Sequence, residues 1–125
     1  LAGVHTIALS RCQITDKGVR ALAGVHNIKL RACKGVTDEG VKSLSGVHTI
    51  DLSWTEIRDE GIKALARVHE IRLQHCTGIT DEGIKALAGV HTIALSRCQI
   101  TDKGVRALAG VHNIKLRACK GVTDE

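Results

Sequence analysis

Two residue types able to do chemistry recur along this chain at nearly constant intervals. Cysteine stands at 12, 33, 76, 98 and 119, with Thr55 at the one place in the series where a thiol is missing. Histidine stands at 5, 26, 48, 69, 91 and 112, and His75 lies outside that series. A row of thiols invites a disulfide or metal reading, and a row of imidazoles invites a transition-metal ladder. The thiols have no C-x-x-C pair and are odd in number, and stacked side by side they leave no room for a tetrahedral ion. They are expected to point into the core and to bond weakly to backbone of the next turn, in a reduced state that favours an intracellular setting. Neighbouring imidazoles are expected about 5 Å apart, each capping a turn by a hydrogen bond to backbone, so neither an intrinsic metal nor any other cofactor is expected. His75 beside Cys76 suggests a catalytic pair, but catalysis needs an exposed, activated thiol, and a core cysteine is neither. No enzymatic activity is expected.

The intervals themselves reveal what positions these residues. Residues 1–39 and 87–125 are the same string, and the whole chain divides into units starting at Leu1, Leu22, Leu44, Leu65, Leu87 and Leu108, alternately 21 and 22 residues long, the sixth cut short. Repeats of this size belong to solenoids, in which each unit covers the apolar face of its neighbour. One such array over residues 1–125 is the expected domain organisation. Alternation in Thr6–Ser10 marks a short strand, with equivalents at Asn27–Arg31, Thr49–Ser53, Glu70–Gln74, Thr92–Ser96 and Asn113–Arg117. Since every unit runs the same way, the strands pair in parallel. With one Trp, no Phe and no Tyr, the interior must be layered Leu, Ile, Val, Ala and Cys.

After each strand the chain turns at Cys (or Thr55) and crosses over. The longer units carry an extra Gly35, Gly78 or Gly121, read as tolerating a bulged backbone. Thr15 to Gly24 then reads as a short helix, with Thr15 as N-cap, Asp16 at the positive end of its dipole, and Val19, Leu22 and Ala23 facing inward. Gly24, Gly46, Gly89 and Gly110 are expected in the left-handed C-cap conformation, a rule that Arg67 breaks.

The frame Val4-x-x-Ile7-x-Leu9-x-x-Cys12-x-Ile14-Thr15-Asp16-x-Gly18-Val19-x-x-Leu22 recurs in every unit, with Thr for Cys in the third and no complete helix in the sixth. It resembles the leucine-rich repeat in its cysteine-containing variant. The phrase Gly-Val-His-Thr-Ile is also similar to long leucine-rich arrays in giant viruses and protists. The resemblance implies an α/β solenoid, with a parallel sheet on the concave side, short helices on the convex side, and protein recognition as its task. The units are short for the cysteine-containing class, and no capping unit is apparent at either end.

Outward strand positions vary most between units. Thr6, Ala8 and Ser10 are small; Asn27, Lys29 and Arg31 are basic; Thr49, Asp51 and Ser53 are mildly acidic; Glu70, Arg72 and Gln74 are mixed. The first two rows recur at Thr92, Ala94, Ser96 and at Asn113, Lys115, Arg117. One residue beyond lie Arg11, Ala32, Trp54, His75, Arg97 and Ala118. Trp54 reads either as an exposed hot spot or as a cover for the unusual third turn. The candidate contact residues for a protein or peptide are Lys29, Arg31, Asp51, Trp54, Glu70, Arg72, Gln74, His75, Lys115 and Arg117.

A net charge of +5 admits nucleic acid as a partner, but single-strand binders interleave aromatics with their cations and here one Trp would act alone. No apolar run is long enough to span a bilayer, so no membrane partner is expected. The error-free copy, the absent initiator Met and the absent caps point to an engineered or truncated array derived from natural repeats. Its open ends are expected to stack chains end to end.

Overall fold

Residues 6–117, except 12, 23, 34 and 99, are described by a computed structural model. Readings placed on His5, Cys12, Ala23, Ala118, Cys119 and Gly121 lie outside them. Period-2 alternation, with Ile and Leu on one side, yields β1 (Thr6–Ser10), β2 (Asn27–Arg31), β3 (Thr49–Asp51), β4 (Glu70–Gln74), β5 (Thr92–Ser96) and β6 (Asn113–Arg117). Between them run α1 (Asp16–Arg20), α2 (Asp38–Val41, continued as a 3-10 turn over Lys42–Leu44), α3 (Asp59–Lys63), α4 (Asp81–Lys85) and α5 (Asp102–Ala107). The six strands form one open parallel sheet in sequence order. Ile7, Ile28, Ile50, Ile71, Ile93 and Ile114 sit in register across it. This is the solenoid expected from the repeat.

The core lies between sheet and helices. Ile28, Leu30, Ile50, Leu52, Ile71 and Leu73 are fully buried, and Val41, Ile62, Ile84 and Leu65 meet them from the helical side. Burying each such side chain stabilises the fold by about 1.5–3 kcal/mol. In the outermost strands Ile7, Leu9, Ile114 and Leu116 are only half-buried.

Several expectations need correction. β3 ends at Asp51 and not at Ser53, because the Asp51 carboxylate accepts the Ser53 amide at 3.0 Å and takes it out of the strand pattern. Thr15, Thr37 and Thr80 do not cap the helices they precede, whereas the Thr101 hydroxyl accepts from Lys103 N at 3.3 Å. The groups of Thr37, Thr80 and Thr101 turn to the preceding coil. Asp59 accepts from Thr80 N at 2.8 Å and from Thr80 Oγ1 at 2.6 Å; Asp16 holds Thr37 and Asp81 holds Thr101 in the same way. In the third unit Asp38 accepts only the Arg58 amide. The recurring Thr-Asp is therefore an inter-coil staple.

Glycines Gly24, Gly46, Gly89 and Gly110 are not left-handed, and a Cβ at any of them would meet open space. Arg67 consequently fits the same place without backbone strain. The inserted Gly35 has no positive φ; its Cβ would stand 2.6 Å from the Ile14 carbonyl oxygen, so glycine here permits close approach of the previous coil. Among the described residues the left-handed positions are Arg11, Ala32, Trp54, His75 and Arg97, with φ of 56°, 58°, 64°, 56° and 55°. Finally, the described thiols bond to the preceding coil: Cys33 reaches Leu9 O at 3.5 Å, Cys76 reaches Leu52 O at 3.1 Å, and Cys98 reaches Leu73 O at 3.1 Å. Thr55 donates to Leu52 O at 2.7 Å, so it does the same work within its own coil.

Candidate functional site

The outward rows of β4, β5 and β6 form a groove. Thr92, Ala94 and Ser96 of β5 make a low floor, since none reaches past its own Cβ by more than one heavy atom. Longer side chains stand on both sides: Glu70, Arg72 and Gln74 from β4, and Asn113, Lys115 and Arg117 from β6. The enclosed volume is about 270 Å³. Opposite walls are two strand spacings apart, about 9.6 Å, and a five-residue strand gives a length of about 17 Å. Arg72 Nε lies 3.2 Å from Glu70 Oε2 on the same strand, which orients the guanidinium along the wall. Among the described residues, no ion pair engages Lys115 or Lys29.

The central rows are arranged differently. Arg31 reaches across β3 to place Nη2 3.4 Å from Gln74 Oε1, and its Nε lies 4.0 Å from Asp51 Oδ2. Asp51 is only 6% exposed. It was expected to present its carboxylate outward; instead the carboxylate is covered by Arg31 and bonded to the Ser53 amide. Ser53 is buried too, and its hydroxyl accepts the Gln74 amide at 3.0 Å. By its place in the repeat this serine is equivalent to Ser10 and Ser96. Only the neighbouring Asp51 signals that the third row is tied down.

At the rim each amide continues the ladder. Arg11 N donates to Arg31 O, Ala32 N to Ser53 O, Trp54 N to Gln74 O, His75 N to Ser96 O and Arg97 N to Arg117 O, at 2.6–3.0 Å. Trp54 is 42% exposed and stacks on His75, with centroids 4.2 Å apart and planes within 7°. The structure thus brings these two candidate residues together. On the other side of Trp54, Ser10, Arg11, Arg31 and Ala32 complete a recess of about 610 Å³. Arg11 and Ala32 were read as rim residues but not as site residues; their signal was the small residue at 32 between two large ones.

The described part of the histidine series forms a continuous stack. His26, His48, His69, His91 and His112 have successive centroids 4.4–4.6 Å apart. The rings do not cap backbone as expected. They face one another, and Nδ1 of His48 and His91 lies 3.1 and 2.8 Å from the hydroxyls of Thr49 and Thr92. Partial desolvation in the stack, then charge on the neighbouring imidazoles, holds His48 and His91 below the usual histidine range. Among the described residues, no three His, Cys, Asp or Glu side chains converge as a metal site. Burial pushes the Cys76 thiol up to about 12, which leaves it without nucleophilic character at neutral pH. No helix among the described residues is long and apolar enough to cross a membrane.

No curated protein matches this chain significantly. The family model for the Leucine Rich repeat matches residues 4–23, 47–66, 68–88 and 90–109. With those matches spread over an in-register parallel sheet backed by short helices, the chain belongs to the leucine-rich repeat family.

Proposed function

We propose that this chain is a non-catalytic scaffold that binds an extended protein or peptide segment along its concave face. The groove over β5 carries the reading. Its width admits one extended chain, its length takes about five residues, and Arg72, Lys115 and Arg117 favour an acidic one. Recognition on the concave surface is also how leucine-rich solenoids generally act. A displayed peptide library selected on the immobilised protein tests the proposal. Enriched peptides should carry acidic residues and bind at least tenfold less to Lys115→Glu, while the convex control Lys63→Glu leaves them unaffected. Enrichment that is lost equally in the convex control, or no enrichment at all, overturns it.

A further inference from the structure

We infer that the recess between Arg11 and Trp54 is an empty place in a stacking row, and that it takes one aromatic side chain from an acidic peptide. The inference rests on the peptide-binding reading above and names a second, separate contact. Arg11, Ala32, Trp54, His75 and Arg97 follow one another on the same ladder, all in the left-handed conformation and all tied to the next coil by their amides. Their side chains are consequently held at the interval of the parallel strands. His75 fills its position and stacks on one face of Trp54. Ala32 leaves the other face uncovered, because a methyl group cannot reach the plane of the indole.

The dimensions suit a flat group. Arg11 and Trp54 are two strand spacings apart, about 9.6 Å, so a ring midway lies about 4.8 Å from each wall. Five ring pairs among the described residues already stack at 4.2–4.6 Å in this protein. The inserted ring would have indole on one side and a guanidinium on the other, aromatic stacking and cation–π contact respectively. An aliphatic side chain could use neither.

Charge selects what flanks the ring. Arg11 and Arg31 line the recess, Lys29 projects from the same strand as Arg31, and the carboxylate beside Arg31, that of Asp51, is already covered. Aspartate or glutamate beside the aromatic residue therefore meets cations on two sides. A nucleic acid fits less well: it gains from successive stacking platforms, and here one face of the sole indole is already taken by His75.

Trp54 is the only tryptophan, so its fluorescence excited at 295 nm reports on the recess alone. The probe is the peptide Gly-Glu-Asp-Phe-Glu-Asp-Gly, titrated into the full chain in low salt. The expected result is a saturable change in Trp54 emission that the Phe→Ala peptide fails to produce. Ala32→Arg fills the recess, and Arg11 and Arg97 show that this backbone conformation accepts arginine. It should weaken binding about tenfold although it adds a positive charge. Arg11→Ala should weaken it as well.

Equal or tighter binding by Ala32→Arg overturns the inference, because attraction would then be only electrostatic. So does a flat fluorescence titration, and so does oligouridylate that binds more tightly than the peptide and displaces it. Peptides selected on the groove that survive Ala32→Arg, together with a failed Phe probe, remove the recess and keep the concave-face reading. A Phe probe that binds while Lys115→Glu changes nothing in the selected peptides removes the groove and keeps the recess.

Discussion

The staple between coils makes one substitution change sign with its background. Gly104 lies inside α5, where Gly→Ala ordinarily stabilises by about 0.5–1 kcal/mol. Here a Cβ would stand 2.4 Å from Asp81 Oδ1 and 3.0 Å from its Cγ. The carboxylate must swing away and release both Thr101 N at 2.8 Å and Thr101 Oγ1 at 2.5 Å. Two charge-assisted bonds contribute about 1.5–3 kcal/mol each when shielded, and at an exposed staple, where water competes for both partners, about 2–3 kcal/mol together. Gly104→Ala should therefore destabilise by about 1–2 kcal/mol net once the helix gain is subtracted. In an Asp81→Ala background the carboxylate is gone and the nearest remaining atom, the Cβ of residue 81, is 3.4 Å away, ordinary contact. There Gly104→Ala should stabilise by about 0.5–1 kcal/mol, a coupling of about 2–3 kcal/mol. Urea unfolding of the four proteins, followed by circular dichroism and by Trp54 fluorescence together, measures the cycle. If Gly104→Ala costs the same in both backgrounds, the close approach of Asp81 is not what holds glycine at this position.

Other outcomes follow from the same geometry. Gly46→Ala should stabilise by about 0.4–1 kcal/mol, because its φ is not left-handed and its Cβ meets nothing; a loss in urea midpoint would restore the C-cap reading. His48 and His91 have folded pKa values below the ordinary 6.5, so the unfolded chain binds their protons more readily. Stability from these rings is fully present above about pH 6.5 and falls as pH drops through the histidine range. Thermal melts from pH 8 to 5 should show this fall, and His48→Gln with His91→Gln should flatten it. Cys76, with its thiol raised to about 12, should stay unalkylated by iodoacetamide at pH 8 in the folded protein and react fully in urea, as read by peptide mass spectrometry.

Much of the fold was legible in the letters, because a short repeat leaves few alternatives. Ile28 and Leu30 alternate with Asn27, Lys29 and Arg31, and that period of two places the Ile and Leu on the buried side whatever the rest of the chain does. Identical direction in every unit then imposes parallel pairing. The outward rows other than Asp51 and Ser53, and Trp54 beside His75 at the rim, were equally readable.

The contacts between coils were not. Thr80 looks like an N-cap in one unit read alone, and Gly46 like a left-handed C-cap. What Thr80 bonds to is Asp59 of the preceding coil, and where the chain turns left-handed is Trp54 and its counterparts. Asp51 alternates outward like Lys29, yet Arg31 from the neighbouring strand covers it. Periodicity along one chain segment states which way a side chain points. The separation of successive coils, about 4.8 Å, determines which atom of the next unit it meets there, and that separation exists only once the units have stacked.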